Sequence, residues 1–535
     1  MKRRSLLLGV AGVTLTASLP LRLAAATPED QLVVGFSLAN VLTLDPAGSS
    51  SKERVQIIAN LYDGLVGIDD ADRSKIVPAL AERWEVAEDR MSVRLTLREA
   101  RFASGNPVMA EDAVWSLHRC LTLNLAQATN LRLRGFTAEN ATDHIRAVDP
   151  RTVEVAFPEP TDPQIILMTL AMAGTGSVID RVLALEHETD GDLAAGWLTT
   201  NVAGSGAFAL QIWRPGDLAV LERNASYWGE VPTMKRVIMR HIPESQTQRL
   251  QLLHGDLDIA YSLGAADLKA LEAEDEVRIV QQTGNGLYYL AMSLKNEHLA
   301  KPKVREAIIR LIDYDGINAS VMPYYGVKHL GPIQQGLGGE RMSPEIHPDP
   351  EAAKALLADA GYPDGLDLTL RALSETPFDS LAVALQGNLA LGGVRLQIVM
   401  GSGEQVYGPM RERNFDLIVG RSGGQISHPD GDLRSLVYNP DNRDEARLTG
   451  LQSWRVSYQD TDLNNRIEMA LLDPDGQTEE YAEISRLYAE RVPAIQPVSQ
   501  VVDSVAVRSD VRGLKISPVW QTKLGSVTKM RGETR

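Results

Sequence analysis

Cysteine is nearly absent: Cys120 is the only one in 535 residues, so no internal disulfide is available and the fold must rest on packing. Cys120 sits in the helix-like run Ala113–Cys120 and reads as a small buried residue rather than a nucleophile. The nine histidines are scattered, with no H-x-x-H, H-E-x-x-H or Cys–His cluster, so no protein-built metal site is expected and no cofactor is implied. Basic blocks are missing too. With 54 Lys and Arg against 70 Asp and Glu the net charge is −16, which argues against nucleic acid and anionic membrane as partners, because phosphate binding needs clustered cations. Internal repeats and low-complexity tracts are absent. Beyond the first two dozen residues, no apolar run approaches the length of a membrane span, so the mature chain is expected not to insert directly.

What is present begins at the N-terminus. Lys2-Arg3-Arg4 precedes an apolar stretch from Ser5 to Leu21, followed by Arg22-Leu23-Ala24-Ala25-Ala26: basic head, greasy core, small-residue cleavage site. Residues 1–26 therefore read as an export signal removed after Ala26. The paired arginines resemble a twin-arginine signal, although Lys2 stands where Ser or Thr is usual, and ordinary unfolded secretion remains the alternative. The leader has no cysteine to carry a lipid, so a freely diffusing periplasmic protein is expected. Losing four cations and no acid, the mature chain moves from −16 to −20.

The length, with 44% hydrophobic and 23% charged residues, suits two to four domains of mixed α and β structure. Leu32–Phe36 reads as a buried strand and Val93–Leu97 as a half-buried alternating one. A helix is expected over 350–360, capped by Asp349, started by Pro350 and stopped by Gly361, with Ala353, Leu356, Leu357 and Ala360 on one face. Others are expected over 110–117, 304–311 and 479–491. Gly331–Pro348, rich in Gly and Pro, reads as a long ordered connection.

One local pattern points to catalysis. Gly420-Arg421-Ser422-Gly423-Gly424 matches G-x-S-x-G after a good strand, as in a serine hydrolase. A nucleophile elbow needs a helix at once, however, and His428-Pro429-Asp430-Gly431 reads as a turn. No catalytic residue is assigned.

A set of segments in fixed order points elsewhere. They are Leu42–Pro46, Asn60–Leu65, Pro78–Trp84 with Glu88-Asp89, Leu97–Leu117, Gly204–Phe208, Asn224 with Tyr227-Trp228, Gly255–Asp258, and Val304–Ile308 with Ile312-Asp313. Together they resemble the extracellular solute-binding proteins of the peptide/nickel class, which feed ABC importers. Tyr227 and Trp228 also have a plain reading as core aromatics. The resemblance implies a three-lobed α/β periplasmic-binding-protein fold: a main lobe from 27–66, 199–284 and 494–535, an extra lobe at 67–198, and a second ligand-clasping lobe at 285–493. It implies a monomer that closes on a small peptide or peptide-like ligand and presents it to the permease transmembrane subunits.

The same resemblance suggests the site. Asn40 and Gly204-Ser205 would face the cleft, with Tyr288 or Tyr289 on one side, Tyr407 on the other, and the loop Gly420, Arg421, Ser422, Gly423 and Gly424 between. Neighbours on a strand point to opposite sides, so only one of Tyr288 and Tyr289 is expected in the cleft. Peptide-binding relatives place an aspartate at Gly424 to hold the ligand's ammonium, and a tryptophan at Arg421. Either Asp430 or Asp432 takes over, or the ligand lacks a free amino terminus, because a buried ammonium needs a counter-charge. Arg421 could fork onto a carboxylate, which suggests an opine-like or other anionic or zwitterionic ligand as the alternative cargo. A peptide-binding chaperone using the same cleft is a third class. Some relatives carry nickel or haem, and a ligand can bring its own chelator.

Overall fold

The computed structural model describes residues 27–48, 51–340, 345–423, 426–473 and 476–530. Residues 1–26, expected to form an export signal, and Gly424 lie outside them. Eleven strands form one sheet that runs through two lobes. On one side Leu366–Leu373 is parallel to both Val394–Gly401 and Leu417–Arg421. On the other, Gln31–Phe36 is parallel to both Arg236–His241 and Ile259–Tyr261, and Leu218–Arg223 and Phe208–Arg214 extend the edge. Two long antiparallel strands, Val277–Met292 and Ile495–Arg508, stitch the halves together.

The crossing strands are built for a bend. Their pairing shifts register between Thr283 and Leu287, where Gly284-Asn285-Gly286 interrupts the ladder, and again between Tyr288 and Tyr289. Gly286 has φ +128°, and a Cβ there would fall 2.3 Å from the Ser422 carbonyl oxygen, so only glycine fits. Val277–Thr283 and Val502–Arg508 belong to one half, Leu287–Ala291 and Ile495–Gln500 to the other.

Each half has apolar clusters on its sheet. Leu32, Val34, Ile57, Phe208 and Val507 form part of one; Val33, Leu252, Leu257 and Leu268 form part of another. In the second half, Tyr288, Val304, Ile308 and Leu385 pack on one face, and Tyr289, Ile418, Leu433 and Tyr488 on the other. A separate four-stranded antiparallel sheet, ordered Ala81–Val86, Ser92–Leu97, Thr152–Ala156, Ile145–Asp149, carries the helix Ala110–Thr122 and its own core. Among the described residues no helix is long and apolar enough to cross a membrane.

Local signals work where the chemistry is local. Asp349 caps Pro350–Asp359 by accepting the Ala352 amide at 2.9 Å, and Ala353 and Leu357 are buried while Leu356 and Ala360 are half-buried. The expected helices at 304–311 and 479–491 are Pro302–Leu311 and Gln477–Glu490. One reading is corrected: His428–Gly431 is not a turn but the start of the helix Pro429–Leu436. Proline at the first position, Asp430 and Asp432 in the first turn, and the His428 ring accepting the Asp430 amide at 3.2 Å are all helix-starting chemistry.

Candidate functional site

The parallel strands of both halves aim their carboxyl ends at one space. Phe36 and Tyr261 end strands of the first half, Leu373 and Arg421 end strands of the second, and all four line a cleft of about 1230 Å³. Open α/β sheets bind ligands at such ends, where the backbone stops pairing and side chains of many elements converge.

Arg421 is the innermost cation of the second-half wall. Its guanidinium carbon lies 5.1 Å from the centre of the Trp520 ring. Burial alone would depress the guanidinium, but the Tyr288 hydroxyl and the Asp503 carboxylate outweigh it and hold its pKa above the ordinary value. Trp520 Nε1 in turn donates to Asp503 Oδ2 at 3.0 Å. A second basic group lies beyond Tyr289 and Tyr407: Arg455 donates to the Thr449 carbonyl at 2.7 Å, and burial first, then the nearby Arg411 charge, lower its pKa. Arg411 itself pairs with Glu404 at 3.2 Å. An acidic protein thus gathers three arginines on one wall of its cleft, which makes that wall attractive to anionic groups.

Of the residues singled out in the sequence, Asn40, Tyr288, Tyr289, Tyr407, Arg421 and Gly423 meet at this cleft. The expectation that only one of the paired tyrosines would reach it is corrected. Tyr288 and Tyr289 do point to opposite faces, packing with Phe378 and with Val406 respectively, but the cleft lies across the strand ends and receives both. Gly204 and Ser205 are displaced from it. They are buried against the end of the helix Lys52–Leu61, where a Cβ on Gly204 would meet the Leu61 carbonyl at 2.0 Å, and Ser205 donates to Asp63 at 3.3 Å. Asp63 also gathers Tyr227 at 3.3 Å and Trp228 at 2.8 Å, so these aromatics belong to a buried polar knot.

Gly420 and Ser422 lie behind the wall. Gly420 leaves room for the Tyr289 ring, which would sit 2.4 Å from a Cβ there. The Ser422 hydroxyl oxygen accepts the Leu287 amide at 2.9 Å, and His428 turns its ring nitrogens to the Asp430 amide and, at 3.5 Å, to Asp162. Ser422 is thus a ladder stitch at the bulge. Asp430 does not reach the cleft either: it is fully buried, taking Arg134 at 3.1 Å and Arg434 at 2.9 Å. Asp432 accepts the Gln334 amide at 2.9 Å and its side chain at 2.6 Å. Both acids are saturated by protein donors. Among the described residues no cluster of three His, Cys, Asp or Glu could hold a metal.

The main residues that sequence reasoning missed are Asp503, Trp520, Arg455 and Glu375. Asp503 did leave a signal, as the lone charge in the apolar run Val501–Val507. Trp520 follows Pro518-Val519 in a stretch without periodicity, where nothing in the pattern assigns a position.

A two-lobed α/β body with a hinged sheet and a charged, aromatic cleft between the lobes defines a ligand-binding protein of the periplasmic type. Residues 75–444 match the bacterial extracellular solute-binding proteins, family 5, and the chain belongs to that family. It is 28% identical over 503 residues to the probable D,D-dipeptide-binding periplasmic protein DdpA of Escherichia coli K12, covering 92% of this chain and 93% of that one. Among solved structures it superposes on a dipeptide-binding protein from Pseudoalteromonas sp. SM9913 in complex with Met-Leu, with TM-score 0.78, 20% identity and coverage of 94% and 100%. It also superposes on MoaA in complex with mannopinic acid from A. tumefaciens R10, with TM-score 0.77, 20% identity and the same coverage.

Proposed function

We propose that this protein is the periplasmic substrate-binding component of an ABC importer, capturing a small peptide or peptide-like molecule in the cleft and delivering it to the permease. The observation that carries this reading is the cleft itself, formed at the carboxyl ends of both sets of parallel strands and spanned by a sheet with a glycine-relieved bend. Closure about that bend would bury the ligand, and the difference between open and closed shapes is what a permease can sense. Residues 1–26 would direct export, by the twin-arginine or the general route, and be removed after Ala26, and the protein would work as a monomer. The lobes are taken as 27–66 with 199–284 and 494–535, then 67–198, then 285–493. Binding, not bond-breaking, is the chemistry.

Peptide cargo is supported by the dipeptide-binding relative and the dipeptide-bound structural neighbour. An opine-like conjugate is the second reading, favoured by Arg421 at the cleft wall and by the likeness to a mannopinic acid complex. Arg421, with Asn40, Tyr288, Tyr289, Tyr407 and Gly423, would touch the ligand. Native mass spectrometry of residues 27–535 purified from a periplasm tests the reading. A retained family of peptide masses supports peptide carriage, and one non-peptide mass supports the alternative. Arg421→Ala is expected to weaken a carboxylate ligand by about 2–5 kcal/mol, and unchanged affinity would remove Arg421 from the site.

A further inference from the structure

We infer that Asp503 and Arg421 form a two-pole clamp for a ligand carrying both a cationic amine and a carboxylate, with the Trp520 indole holding the poles apart. The inference rests on the cleft being the ligand site. Arg421 ends the strand Leu417–Arg421, Asp503 lies on the crossing strand Ile495–Arg508, and both line the cleft. Opposite charges facing one cleft can collapse into an ion pair, yet no cation among the described residues lies within ion-pair distance of Asp503, Arg421 included. The reason is the ring. Trp520 offers its face to Arg421 at 5.1 Å and its Nε1–H to Asp503 at 3.0 Å, so the indole touches both charges, and the Tyr288 hydroxyl gives Arg421 a further partner.

Trp520 is also held at φ +64°, a left-handed backbone that a bulky residue rarely adopts, and such conformations collect at ligand clamps. The other acids do not fit the role. Asp430 and Asp432 are buried and saturated, Glu375 is exposed, and Glu53, half-buried in the first turn of Lys52–Leu61, lines the cleft but does not take the Trp520 Nε1–H. A half-buried carboxylate on the hinge strand is well placed to bind an ammonium more strongly as the lobes close and water leaves.

Two sources share this chemistry, short peptides with a free amino end and amino acid–sugar conjugates with a secondary amine. Titration calorimetry on residues 27–535 would use three probes: an equimolar dipeptide mixture, the same mixture N-acetylated, and an N-(1-deoxyhexityl) amino acid. Wild type is expected to prefer an amine-bearing probe over the acetylated one by about tenfold or more, and Asp503→Asn to bring that ratio near one. Trp520→Phe, which keeps the face and removes the Nε1–H, should narrow the ratio without unfolding the protein, with thermal unfolding as the check. Which amine-bearing probe binds names the source. Equal binding of free and acetylated dipeptides, or an undiminished ratio in Asp503→Asn, overturns the clamp while leaving peptide carriage intact. No binding of any probe overturns both.

Discussion

Asp432 shows what burial does to a single carboxyl. It is 1% exposed, and burial pushes its pKa up to about 6 even though Gln334 donates to it twice and Arg73 and His428 stand nearby. An aspartate in the unfolded chain titrates near 3.9, so the folded state holds the proton more tightly. Its contribution to stability is complete below about pH 4 and is lost as the pH rises through about 6. Asp432→Asn removes the buried charge and keeps one acceptor for Gln334. Urea titrations should find the variant gaining about 2 kcal/mol on wild type between about pH 4.5 and about pH 7.5, whereas a constant difference would show that Asp432 is not the titrating group. At this scale the sequence was readable where a residue had one job. Cys120 is buried, its thiol pushed up to about 12 by burial, as its apolar setting implied. Arg421 was legible as a charge in an odd place. Asp430 was not, because its carboxylate is spent on Arg134, 296 positions away, and nothing local announces that partner.

The helix Pro429–Leu436 is the element where local and distant chemistry meet. Its start holds Asp430 against Arg134 of the inserted module, and the preceding His428 faces Asp162 of the same module, which also accepts from Gln477 at 3.0 Å. Ile426 and Leu471 join that module's core from the far side. Arg134→Ala leaves Asp430 with Arg434 alone, so the loss should fall below that of a fully broken buried pair, about 1–3 kcal/mol in urea unfolding. Amides of Gly431–Leu436 should exchange faster with deuterium. Unchanged protection would mean that the helix is held by its apolar face only. The well-marked helices, such as Pro350–Asp359, were legible because cap, first-turn proline and apolar spacing lie within ten residues. Pro429–Leu436 was misread because Pro and Gly in its first turn spell a turn as readily as a helix start.

Across the whole molecule, three-lobed architecture came through resemblance of ordered segments, while the strand order at the centre of the great sheet is invisible to periodicity, since Gln31–Phe36, Ile259–Tyr261, Ile495–Arg508 and Val277–Met292 pair across about two hundred residues or more. Motion follows from that sheet. Gly286→Ala should strain the bend, lowering stability by about 1–3 kcal/mol and shrinking the ligand-induced contraction seen by small-angle scattering with the co-purified cargo. Contraction equal to wild type would place the pivot elsewhere. The position of Ile495–Arg508 in the ladder has a further consequence. It alone joins the strands led by Val277–Met292 to those led by Ile259–Tyr261, and without it the ladder is cut in two. This strand follows every other strand of that sheet in the chain, so a nascent chain cannot complete the sheet until all the others have been made. Were the chain to cross a membrane folded, it would have to wait for that last stitch; crossing unfolded, it would make it on the far side.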